Sequence, residues 1–203
     1  MRRRLVCAAI SVAAVGTLTT AYAFDVSVGS ITDGAVECGL TEQAAKAFKD
    51  KDVSYEAVAP AATLPGNKVR WSSVKGRASI RLEGHIFAGG GFALSNGDGS
   101  SSMEFADPSG TLPSGTASFT VTTKTRKGTE KDKAPSQIAS YAIPPSSIHG
   151  EAELTGEVKV NVDSGELHLT PSAARRINAT FGTELTADET FWRCDVTASS
   201  QLG

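Results

Sequence analysis

The side chains of this chain that could ligate a metal or attack a substrate are three histidines, three cysteines and a scatter of serines. His85, His149 and His168 do not fall at ligand spacings such as H-x-x-x-H, and no cysteine or carboxylate cluster accompanies them, so a zinc site is not indicated. The serines lack a G-x-S-x-G elbow and an evident acid–histidine partner, which removes the hydrolase reading. Gly89-Gly90-Gly91 lacks the G-x-G-x-x-G order and a following Lys, so it reads as a bulged or flexible turn and not as a phosphate cradle. Asn178-Ala179-Thr180 matches a glycosylation sequon but falls inside a predicted helix. No catalytic residue is assigned, and an enzyme is not expected. His85 is the exception among the histidines: it follows Gly84 at the end of a predicted strand, Arg77–Glu83, where a neutral imidazole can hold a hydrogen bond or coordinate iron.

What the cysteines do depends on where the chain goes. Arg2, Arg3 and Arg4 precede an apolar stretch from Leu5 to Leu18, and Ala21-Tyr22-Ala23 supplies an A-x-A cleavage pattern. Residues 1–23 therefore read as a secretory signal peptide, and 24–203 as one mature domain with no transmembrane segment left after cleavage. Cleavage removes three of the 20 basic residues and none of the 22 acidic ones, leaving 17 against 22 and a net charge of −5. That balance argues against nucleic acid as partner, which rewards clustered Lys and Arg. Cys38 and Cys194 survive processing, and in an oxidising compartment they are expected to bond. A bridge closing so long a loop stabilises by about 4–5 kcal/mol in the chain-entropy picture.

The elements that must position these residues are mostly strands. Period-two alternation runs through Phe24, Val26 and Val28, then Ala78, Ile80 and Leu82, then Met103 and Phe105, then Ala117, Phe119 and Val121. The longest run sets Ala152, Leu154, Val158, Val160 and Val162 against Glu151, Glu153, Glu157 and Lys159. Leu167 with Leu169, and Phe191 to Val196, complete the set. Each reads as a strand with one buried and one wet face. Asn96-Gly97-Asp98-Gly99, Asp107-Pro108-Ser109-Gly110, Pro113-Ser114-Gly115 and Asp163-Ser164-Gly165 read as turns, the last closing a hairpin from about Val158 to Leu169. The charged run Lys124 to Lys133 reads as a solvated hairpin tip or mobile loop, and Pro60 to Asn67 as a connecting loop. Two segments are helical: Thr41 to Lys49, and the stretch from Thr170-Pro171 to Phe181 ended by Gly182. Both open on Leu-Thr-x-x-Ala-Ala, either a duplicated unit or one capping solution used twice. The expected fold is mainly β: an antiparallel β-sandwich of about ten strands with two short helices and one disulfide.

The order of these pieces resembles the HtaA domain, a secreted or cell-wall haem-binding module of actinobacterial haem uptake. Gly34-Ala35-Val36-Glu37-Cys38-Gly39-Leu40-Thr41 resembles that family's opening strand and helix start, and Arg81-Leu82-Glu83-Gly84-His85 its strand ending in Gly-His. Met103-Glu104-Phe105-Ala106-Asp107-Pro108 resembles the strand closed by Asp-Pro, and Gly165-Glu166-Leu167-His168-Leu169-Thr170-Pro171-Ser172-Ala173-Ala174 the final strand and helix. The match spans about residues 34–192. It implies a non-catalytic module at the cell envelope that binds haem or a related hydrophobic ligand and passes it to haem-uptake proteins. It also implies a haem-ligating Tyr on the first helix, supported by a Phe and by the Gly-His histidine. Here the helix reads Lys46-Ala47-Phe48-Lys49 without a Tyr, and the family's opening Trp is Cys38. In a haem-binding reading Phe48 packs on the porphyrin, and His85 ligates iron unless Tyr55 reaches the pocket. The missing Tyr keeps two rivals open: a cofactor-free cell-surface interaction or structural domain, and a carrier of small hydrophobic molecules between two sheets.

Overall fold

The computed structural model of the chain describes residues 28–78, 83–152, 157–187 and 189–202. The leader and most of the first alternating run (Phe24, Val26) lie outside them. In chain order the elements are β1 (Val28–Leu40), α1 (Glu42–Lys49), β2 (Val53–Val58), β3 (Ala62–Leu64), β4 (Lys68–Trp71), β5 (Lys75–Ala78), β6 (Gly84–Phe87) and β7 (Gly91–Asn96). There follow β8 (Ser102–Leu112), β9 (Ser114–Thr125), β10 (Gly128–Lys131), β11 (Ser136–Ala142), β12 (Ile148–Ala152), β13 (Glu157–Leu169), α2 (Pro171–Phe181) and β14 (Thr190–Leu202). Every strand pairing is antiparallel.

The ladder returns on itself. It runs β9-β11-β13-β14-β1-β5-β6-β8, and β8 also pairs with β9. The result is a two-layered sandwich closed along its edges, with inward side chains from opposite strands sharing one core. Phe92 on β7 stacks on Phe105 of β8 at 4.5 Å between ring centroids and meets Trp192 of β14 edge-on at 5.1 Å. Burial of such rings stabilises the core, since apolar area removed from water is worth about 25 cal/mol per Å².

Both helices begin as the sequence predicts. Thr41 and Thr170 are N-caps whose hydroxyls accept from the backbone N–H three residues on, at Ala44 and Ala173. Each hydroxyl also donates to a strand carbonyl, Thr41 to Thr190 and Thr170 to Gln137, both at 2.8 Å. The shared Leu-Thr motif is thus a shared capping solution with the same tether. Gly182 closes α2 at φ 68°, where a Cβ would be strained.

Four local readings change. Asp163-Ser164-Gly165 does not reverse the chain: β13 runs straight through it, with a bulge between Val162 and Gly165 against β14 and Ser164 at φ 53°. Asp107-Pro108-Ser109-Gly110 is likewise a bulge inside β8, with Asp107 at φ 52°. Conversely, Ala78 lies opposite Gly84 and Ala152 opposite Val158, so each of these runs holds residues of two antiparallel strands; Ile80, Leu82 and Leu154 lie outside the described residues. Directly paired residues share a face, and each pair differs by an even number, so both strands of a pair show the same alternation in the sequence. The count rises from about ten strands to fourteen among the described residues, several of them, such as β3, β4, β6 and β10, only three or four residues long. Pro60–Asn67 accordingly holds a short strand. The Lys124–Lys133 run is the β9–β10 hairpin.

Candidate functional site

An apolar cavity of ≈ 120 Å³ remains among the inward side chains. Trp71, Phe119 and Trp192 line it, as do Ile86 and Leu112 from the β6–β8 pair. The row Val36–Val196–Val162 contributes because these residues lie directly opposite one another across β1, β14 and β13. The disulfide forms part of the same wall: Cys38 and Cys194 are cross-strand partners with Cα atoms 4.1 Å apart. Tyr141 also lines it, donating its hydroxyl to the Thr111 carbonyl at 2.6 Å. Burial pushes the Tyr141 phenol up to about 12, so it stays a neutral donor. Gly110 makes that seat possible, since a Cβ there would sit 2.4 Å from the Tyr141 oxygen.

The wall of the cavity has a gap along β13. β13 pairs with β12 at Val158–Val162 and with β11 at Leu167–Leu169, which leaves 163–166 without a strand partner on that side. The bulge falls in the same gap. Glu166, half-exposed and 3.3 Å from Arg193, lines the cavity, and so does the exposed Phe87 of β6. Tyr141 and Glu166 also line an outer cleft of ≈ 580 Å³ with Ser140, Ser164 and His168.

Polar satisfaction is incomplete in this part of the core. The indole Nε1 atoms of Trp71 and Trp192 and the Tyr55 hydroxyl are buried without a hydrogen-bond partner among the described residues. A buried donor left unpaired costs about 1–3 kcal/mol. Burial raises the Tyr55 phenol well above its usual range, offset only in part by the neighbouring Trp192 indole.

The residues nominated from sequence are not brought together. Phe48 is 2% exposed and packs edge-on against Phe191 at 5.9 Å. Tyr55 is buried on β2 against Phe92, away from the surface. His85 is exposed on β6, opposite Arg77, which in turn pairs with Ser30 near the start of β1. Helix α1 follows the other end of β1, so roughly 30 Å of strand separates it from that histidine. Phe48, Tyr55 and His85 therefore do not fit haem as a joint site. The cavity is also smaller than the roughly 300–1,000 Å³ of cofactor pockets. His85 does have a neighbour: its ring lies 6.5 Å from that of Phe87, an exposed large apolar side chain. Among the described residues no group of three His, Cys, Asp or Glu side chains could hold a metal ion, and no helix is long and apolar enough to cross a membrane.

Sequence reasoning passed over Trp71 and Trp192, the only tryptophans in the chain. Their signal was available: each sits in period-two register with a buried neighbour, Val69 and Cys194 respectively.

No protein-family model and no curated protein matches the sequence. Solved structures do match by fold. The C-terminal domain of HtaA from Corynebacterium glutamicum superposes with a TM-score of 0.57 at 12% identity, covering 86% of this chain and 99% of that one. The heme binding protein HtaB from the same organism superposes with a TM-score of 0.53 at 12% identity, covering 85% and 95%. The chain therefore has an HtaA-like fold.

Proposed function

We propose that this chain is an exported, non-catalytic ligand-binding module on the HtaA-like fold, and that its ligand is a small hydrophobic molecule held between the two layers. The observation that carries the reading is the apolar cavity, which the β13 bulge residue Gly165 helps to line. A void of this size lined by side chains such as Leu, Ile and Phe stays dry and takes up benzene-sized molecules. A protein sharing the fold, HtaB, is a heme binding protein, so carriage of a hydrophobic guest has a precedent on this architecture. Export rests on the leader at residues 1–23, and the sites of action it implies are the cell envelope or the medium.

The test is titration of residues 24–203 with methylcyclohexane, followed through the methyl resonances of Val36, Val196 and Ile86. Saturable shifts are expected, and Ala117→Leu, which fills the cavity from β9, abolishes them. Methyl resonances that never move dismiss the reading.

A second reading keeps haem as guest on the outer face, with His85 as ligand beside Phe87. It is supported by the His85–Phe87 pair and by Arg77 and Lys75, which lie opposite these two residues on β5. A Soret shift on adding haemin that disappears in His85→Ala would carry this second reading. A spectrum identical in the two proteins ends it. Envelope haem-uptake proteins are partners under that reading alone.

A further inference from the structure

One hairpin edge of the sandwich is left open. Among the described residues β12 pairs with β13 alone, and His149, Gly150 and Glu151 make no backbone hydrogen bond outside that ladder. An open edge presents N–H and C=O groups ready to join another strand, and proteins guard such edges with Lys or Pro. The β10 edge, which pairs with β9 alone, carries Lys131, whereas β12 reads Ile148-His149-Gly150-Glu151-Ala152 without either guard. Glycine inside a strand suits the close approach of a second backbone, and Gly150 sits at the centre of β12.

That short sequence is complementary to itself. An antiparallel partner must match residues of like parity, because alternate residues turn their N–H and C=O groups to the same edge. Two copies related by a two-fold axis can therefore centre on residue 149, 150 or 151. Centred on His149 or Glu151, the pair sets that side chain against its own copy and leaves an end of the strand unpaired. Centred on Gly150, it uses the whole strand and sets His149 of each copy opposite Glu151 of the other. Opposite charges directly across a strand pair stabilise it, and like charges destabilise it. Within one chain His149 stands 3.4 Å from Asp163, and Glu151 lies opposite Lys159. The row crossing the seam would then alternate in charge, with Lys159 and Glu151 from one copy and His149 and Asp163 from the other. We infer that β12 is a self-association edge: two copies of this chain join antiparallel through it, with Gly150 on the two-fold axis, and their sheets become continuous.

A strand pair this short makes a small interface, so the dimer is weak and reversible. Sedimentation equilibrium of residues 24–203 is expected to show a dimer that grows as concentration approaches the millimolar range. Glu151→Lys places a cation opposite His149 at both ends of the seam and should weaken association about tenfold. His149→Lys keeps a cation opposite Glu151 and should stay within about threefold of the unaltered protein. Cross-linking reads the register directly. Residues facing each other across antiparallel strands have Cα atoms about 4.5–5.5 Å apart, within reach of a disulfide. Oxidation should therefore join two copies of Gly150→Cys covalently and leave His149→Cys and Glu151→Cys unjoined, since neither position faces itself. A domain that stays monomeric at millimolar concentration overturns the proposal. So does a dimer indifferent to Glu151→Lys, or one that cross-links at position 149 or 151 in preference to 150.

Discussion

The Asp132 carboxylate accepts from the Arg176 guanidinium at 2.7 Å and from the Ser136 hydroxyl at 2.6 Å, and Arg176 reaches on to the Thr123 hydroxyl at 2.9 Å. Through these bonds α2 is tied to β9 and to the start of β11. The hydrogen bond from Arg176 is the main reason the Asp132 pKa lies below the usual carboxylate range. A pKa lowered in the folded state means that the folded protein holds the charged form more tightly than the unfolded chain does. The stabilisation is therefore complete above the unfolded value, about 3.9, and is lost as pH falls through the folded one. Asp132→Asn is expected to cost about 1 kcal/mol near neutral pH, the scale of a charge-assisted bond discounted for partial screening. Urea unfolding of both proteins checks this, and the gap should close as pH falls below the unfolded carboxylate value. A gap that persists in acid would mean the loss is one of packing. The exposed pairs Glu37–Arg70 and Glu166–Arg193 stand in water and contribute far less.

Each helix hangs on one threonine at the end of a long strand, and the two strands flank β14 on either side. Thr41→Ala and Thr170→Ala each remove an N-cap acceptor and a tether, so each is expected to lower stability by about 1 kcal/mol in chemical denaturation. Thr→Ser at either position should recover most of that, because Ser caps as well as Thr. The helix starts were legible in the sequence because a cap is local chemistry: Thr, then a first turn of good helix formers. The turns were less so. Asp163-Ser164-Gly165 and Asp107-Pro108 carry residues that tolerate positive φ, and a bulge demands that conformation just as a hairpin does. Only the partner strand decides between them, and β14 runs past Ser164 without reversing. The cavity followed the same rule. Val36, Val162 and Val196 each read as an inward strand position, but their meeting in one row depends on register, which alternation within a single strand does not contain. The nominated residues failed to converge for the matching reason. Their order along the chain said nothing of the full length of β1 that lies between α1 and His85.

Across the whole molecule, the first and last long strands pair along nearly their full lengths, and the bridge between Cys38 and Cys194 locks that seam. The two cysteines are 156 residues apart, so a reduced unfolded chain regains the entropy of a very long loop. On that ground the double variant Cys38→Ala/Cys194→Ala should lose about 4–5 kcal/mol, an upper figure that falls to the extent that the unfolded chain retains structure. The same wall borders the cavity, so two smaller side chains also enlarge it and add a packing cost. Two measurements separate the contributions. Reduction of the unaltered protein opens the loop without removing side-chain volume, whereas the double variant does both. A larger drop in the urea midpoint for the variant than for the reduced protein is therefore expected. Equal drops would place the whole effect in loop closure, and a midpoint that ignores reduction would show that the β1–β14 ladder alone holds the ends of the domain together.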